Sequence, residues 1–149
     1  GRFKPPAAGY SHNSWLTPDG RHLMTTEEVP SGKTVKVWDI GNPLGGGWNV
    51  TGVRVVGEYL GPNKLAHNVL IKGHYAYIAH YAGGVRIVDI AVPSRPIEVA
   101  HYQTPGDPTN SGYESVWGAY PFFPSGKVIA SDMEDALFVV SFNGETNAD

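Results

Sequence analysis

Three segments of one kind recur along the chain and constrain what it can fold into. "TVKVWDI" (34–40), "GVRIVDI" (84–90) and "ALFVVSF" (136–142) each alternate or run apolar over a strand's length, and their last residues fall 50 and then 52 positions apart. Upstream of each lies a second strand-like stretch that begins at a turn: "PDGRHLMTTE" (18–27), "KGHYAYIAH" (72–80) and "PSGKVIASD" (124–132). Gly20, Gly73 and Gly126 stand in those turns, where tight hairpins require a positive φ. Shorter segments precede them: "HNSWLT" (12–17), "HNVLI" (67–71) and "VWGAYPFF" (116–123). Alternation bounded by Gly, Pro, Asn and Asp reads as strand.

The first two repeats continue into a fourth strand, "GVRVVGEY" (52–59) and "PIEVAHY" (96–102), each followed by a proline-bearing crossing. Four antiparallel strands in about 45–50 residues are the unit of a β-propeller blade. The expected fold class is therefore all-β, a partial propeller of about three four-stranded antiparallel blades. Its boundaries are the end of a preceding blade and a crossing at 1–10, blades at 11–61 and 62–105, and a last, incomplete blade at 106–149. "GRFKPPAAGYSHN" matches "GEYLGPNKLAHN", so the chain is expected to open on the tail of an outer strand. Propellers close with about 4–8 blades, so the remaining blades are expected from a longer protein or from another chain.

Composition narrows the partners. A formal charge of −3 without a basic run gives no electrostatic reason to expect nucleic acid. No apolar run is long enough to make a transmembrane segment. The absence of cysteine excludes disulfides, thiolate metal sites and cysteine nucleophiles. Nineteen glycines and twelve prolines suit many short strands joined by tight turns.

"GGVRIVDI" followed by "AVPSRPIEVAHY" resembles the LVIVD repeat, a propeller-blade motif of bacterial surface and secreted proteins. "SHNSWLTPDGRHLMTTEE", "KVWDI", "AHNVLIKGHYAYIAHYAGGVRIVDI" and "WGAYPFFPSGKVIASDMEDALFVV" are similar, in order, to the C-terminal half of the choice-of-anchor B family. That resemblance implies a propeller and an extracellular or cell-surface location, and it supplies no mechanism. WD40 repeats share the blade pattern. Here only one repeat ends in Trp-Asp, and the period exceeds the roughly 40–45 residues of WD40.

Aligning the repeats on their turn glycines gathers polar residues at one end. His12 and His67 begin the innermost strands and are followed by Asn13 and Asn68; Glu114 falls near that place in the third repeat. Glu27, His80 and Asp132 close the second strands. Inner strands line a propeller's axis, so His12, Glu27, His67, His80 and Asp132 are expected as metal ligands at one mouth of the channel. Mixed imidazole and carboxylate donors suit Zn, Mn, Fe or Cu, and oxygen-rich subsets suit Ca. A second reading stays open: the same His and Asn side chains could instead satisfy backbone groups and lock the blades without a metal. No HExxH-like spacing decides between them.

Asn13, Trp15, Asn68, Tyr81, Glu114 and Trp117 are the expected contacts for a small ligand beside that mouth, with the aromatic residues offering stacking surface. Most aromatics, Trp15, Trp38, Tyr77, Trp117, Phe122 and Phe138 among them, are expected to fill space between blades. His74, after a turn glycine, and His101, on an outer strand, belong away from the mouth. The glycine-rich loop at 41–52 lacks a P-loop ending, and Asn49 begins an acceptor sequon. Ser14 and Ser115 have no nucleophile elbow around them. The pair Asp132 and Glu134 is explained equally well by an exposed turn. The functional expectation is a binding propeller segment, non-enzymatic, holding a ligand or protein partner. A metal-dependent hydrolase or oxidase and a pure assembly scaffold are the alternatives.

Overall fold

A computed structural model of the chain describes residues 9–41, 52–62, 65–105 and 112–144. The expected outer-strand match at 1–8, most of the glycine-rich loop and the Asn49 sequon lie outside the described residues. Eleven strands are described: β1 (Tyr10–Leu16), β2 (His22–Val29), β3 (Val35–Asp39), β4 (Arg54–Tyr59), β5 (Ala66–Lys72), β6 (Tyr75–His80), β7 (Gly84–Asp89), β8 (Ile97–Tyr102), β9 (Val116–Tyr120), β10 (Lys127–Asp132) and β11 (Leu137–Ser141). They form three antiparallel sheets in the orders β1-β2-β3-β4, β5-β6-β7-β8 and β9-β10-β11. The fold is all-β, a partial propeller with β1, β5 and β9 as the inner strand of each blade.

Turn chemistry places the hairpins. Gly20, Gly73 and Gly126 adopt φ of 66°, 59° and 70°, the left-handed region that an L side chain enters only at a cost. The turn between β6 and β7 ends on Gly84 at φ 74°, where an added Cβ would also run into the Tyr102 carbonyl oxygen of β8.

Two apolar layers fasten the blades face to face. Met24, Val35, Val37 and Tyr59 of the first blade pack on Val69, Ile71, Ala76, Ile78 and Val88 of the second. Tyr77, Ala79, Val85 and Ile87, on the other face of the second blade, pack on Val116, Ala119, Val128 and Ala130 of the third. A sheet covered on both faces loses the alternation of a half-exposed one. Accordingly β6 and β7 are almost continuously buried, whereas β11, covered on one face, alternates and leaves Leu137 and Val139 each 61% exposed. Trp38 and Tyr77 are buried and Phe138 is partly buried, as expected of inter-blade aromatics; Trp15 and Trp117 are not.

The feature that shapes one end of the stack is a bulge repeated in each inner strand. Ser11 pairs with Glu27 and Asn13 with Thr26, so His12 is the extra residue. Ala66 pairs with His80 and Asn68 with Ala79, so His67 is extra. Val116 pairs with Asp132 and Gly118 with Ser131, so Trp117 is extra. A residue skipped by the ladder is freed from strict alternation and its side chain is re-aimed. A second shift between Tyr10–Val29 and Ser11–Glu27 skips Glu28 on β2 in the same way.

Candidate metal centre

Four skipped residues, His12, Glu28, His67 and Trp117, meet at this end of the stack. The His12 and His67 ring centroids lie 4.2 Å apart, and the Trp117 ring lies 4.5 Å from that of His67. His12, Glu28 and His67 each offer one ligand atom, and these atoms all lie within 4.8 Å of one another. The group could hold a metal ion.

The two imidazoles are oriented by the backbone of the next blade. His12 Nδ1 lies 3.2 Å from the His67 carbonyl oxygen, and His67 Nδ1 lies 2.7 Å from that of Trp117. A carbonyl oxygen can only accept, so each Nδ1 carries the proton and each Nε2 keeps its lone pair. Asn68 Nδ2 donates to the same Trp117 oxygen at 3.0 Å; its nearness to His67 Nδ1 is that of two donors sharing one acceptor. His67 is fully buried, and its Nε2 has no hydrogen-bond partner. Burial pushes its pKa below the ordinary imidazole value, only partly offset by the Trp117 carbonyl. The ring is therefore neutral at neutral pH, the form that ligates metals.

Glu28 is positioned by the phenol of Tyr81, which donates to Oε1 at 3.0 Å. Tyr81 is 1% exposed, and burial, followed by that carboxylate bond, pushes its pKa well above the usual phenol range. The phenol keeps its proton and acts as a donor to the carboxylate, an outer contact of the kind that orients metal ligands.

Of the five ligands expected from the sequence, His12 and His67 meet, and Glu27, His80 and Asp132 lie outside that group, although His80 Nε2 and Asp132 Oδ2 are likewise buried without a hydrogen-bond partner. Glu27 is buried and pairs with Lys36 Nζ at 2.9 Å while accepting from Gly9 N at 2.9 Å. His80 is buried among glycines: a Cβ on Gly61 would lie 2.6 Å from its Nε2, and one on Gly83 2.8 Å from its Nδ1. Its Nδ1 bonds the Tyr81 carbonyl at 3.1 Å, and burial pushes its pKa down to about 4. Asp132 Oδ1 accepts from the amides of Glu134 and Asp135 at the β10–β11 turn. Glu27, His80 and Asp132 do occupy equivalent positions opposite the bulges, as the repeat alignment implies. They form a structural position, and the acid at the imidazoles is the next residue, Glu28.

The expected ligand contacts separate likewise. Trp117 and Tyr81 adjoin the cluster. Asn13 and Asn68 line a cavity of about 380 Å³ along the inner strands with Leu70, Tyr120 and Ile129. Trp15 lies further along β1 and stacks on Phe122 at 5.8 Å. Glu114 is half-buried outside the cluster, its carbonyl accepting from Ala82 N. His74 is exposed beside a separate cavity shared with Asp19 and His22, and His101 lies by Glu98 on the outer strand.

The comparisons agree with this architecture. Residues 65–104, the second blade, match the family model of the LVIVD repeat. Among curated proteins none matches the chain. Among solved structures, the chain is similar to a chain of Kuenenia stuttgartiensis hydrazine synthase, with a TM-score of 0.62 and 18% identity over 95% of this chain and 35% of that one. At that identity the likeness shows the fold alone. This chain spans about a third of that chain's length.

Proposed function

We propose, taking the LVIVD-repeat match of the second blade as premise, that this chain is part of an exported or cell-surface propeller of the choice-of-anchor B kind. Its role is to bind a ligand at the mouth, without catalysis, through a divalent metal held by His12, Glu28 and His67. Further blades, from the rest of a longer protein or from another chain, complete the ring. Export is supported by the repeat family, and detecting the native protein only in the cytosol would rule it out.

The observation that carries the metal reading is the convergence of His12, Glu28 and His67 ligand atoms within 4.8 Å of one another, at which the buried Nε2 of His67 has no hydrogen-bond partner. A buried polar atom left without a partner costs about 1–3 kcal/mol, and a metal bound by the neighbouring His12 and Glu28 would remove that deficit. Two imidazoles with one carboxylate favour Zn, Mn, Fe or Cu over Ca. The locking reading survives beside it, because the two ring nitrogens divide the work. Nδ1 fastens the blades and Nε2 is left to ligate.

Elemental analysis after equilibration with zinc, manganese and calcium tests the proposal. Stoichiometric zinc or manganese is expected, with no stable calcium. Glu28→Gln and His12→Ala should lower metal affinity by more than the roughly 10–100-fold that an outer-shell partner is worth. Folded protein that takes up none of the transition ions would refute it. Three protein donors also leave room for a bound water, which supports a metal-dependent hydrolase or oxidase as second reading. Turnover that appears only in the metal-loaded protein would favour that reading over simple binding.

A further inference from the structure

The walls around the cluster bear on what fills the remaining coordination positions, an inference that rests on the metal reading. Three protein donors leave a first-row divalent ion unsaturated. Two neutral imidazoles and one carboxylate also leave it net positive, so the open positions suit an anionic oxygen donor. The surroundings are aromatic. Tyr81 is buried, and its hydroxyl is committed to Glu28. Trp117 and Tyr113 both contact the Tyr81 ring, at centroid distances of 6.2 and 5.3 Å and interplanar angles of 67° and 75°. Each is nonetheless 49% exposed.

Both rings therefore present open aromatic faces next to the cluster, against which a planar apolar group can pack. Trp117 is placed by a fixed main chain, because its carbonyl is held by both His67 Nδ1 and Asn68 Nδ2. Its indole packs on the His67 ring at a centroid distance of 4.5 Å, beside the ligand atoms. A sugar ring and a planar aromatic ring can both stack on such faces. A sugar supplies a stackable face but no anion, whereas the metal asks for an anion and the indole for a planar apolar ring.

We infer that the mouth takes a small aromatic carboxylate, its oxygens on the metal and its ring against Trp117 and Tyr113. The test is calorimetry on the zinc-loaded full chain with benzoate, acetate and galacturonate, whose carboxylates are similar donors. Benzoate should bind roughly tenfold more tightly than acetate, the size of one good aromatic contact. The advantage should vanish in Trp117→Ala and largely survive in Trp117→Phe. Benzoate no tighter than acetate, galacturonate tighter than benzoate, or an advantage untouched by Trp117→Ala would each overturn the assignment. Benzoate binding equally well to zinc-free protein would also overturn it. Failure of the metal reading shows separately, as no zinc in the loaded sample before any acid is added, and the inference falls with it.

Discussion

His80 illustrates how one buried side chain can govern the pH response of the whole chain. Folded, it stays neutral down to about pH 4, whereas the ordinary imidazole value that the unfolded chain would show is 6.5. Between those values the unfolded chain binds more protons. The His80 contribution to stability is therefore fully present above about pH 6.5, falls as pH drops through the window and levels off below about pH 4. The upper limit of the loss is about 3 kcal/mol. His67, depressed by its own burial, acts in the same direction. Urea unfolding between about pH 7.5 and 4 should show this slope, and His80→Leu should flatten it. Equal slopes in the two proteins would contradict the assignment. The sequence marks His80 as special only through its place at the end of a second strand. That it is caged by Gly61 and Gly83 depends on a crossing segment and a turn arriving from two sides, which no local pattern encodes.

At the level of the strand, β1, β5 and β9 are the edge strands of their sheets, so each turns one row of backbone groups toward the axis. An unpaired row invites aggregation unless something satisfies it. The recurring His-Asn pair does so: Asn13 Oδ1 accepts from Val69 N at 2.8 Å, and Thr26 Oγ1 and His12 Nδ1 both reach the His67 carbonyl. Asn13→Ala should cost about 1–3 kcal/mol, the penalty for stranding the Val69 amide. A urea midpoint unchanged from the parent would refute this role. The pairing of His12 with His67 was legible because the repeat itself carries both residues. Glu28 and the equivalence of Trp117 with the histidines were not. Alternation along β2 assigns Glu27 and Glu28 to opposite faces, and a one-residue bulge reverses which of them reaches the site. Turn glycines align the third repeat only approximately, which puts Glu114 at the position where Trp117 stands.

For the molecule as a whole, blade contacts are formed by matched apolar faces, and the third blade carries one such face without a neighbour among the described residues. Leu137 and Val139 expose it. We expect the 149-residue chain to self-associate as concentration rises, and Val139→Lys to suppress this with little effect on folding, since the site is exposed. Sedimentation velocity decides, and a monomer at all concentrations would contradict the expectation. Blade number and direction were readable from periodicity and glycine spacing. Which faces meet was not, because it depends on sheet order.

The divided use of the His67 ring has a mechanical corollary. One nitrogen clasps the neighbouring blade while the other is left without a partner, so anything that grips the second also stiffens the first. An occupant of the mouth would then brace two seams of the stack at once, and metal loading should raise the melting temperature as binding to the folded state requires.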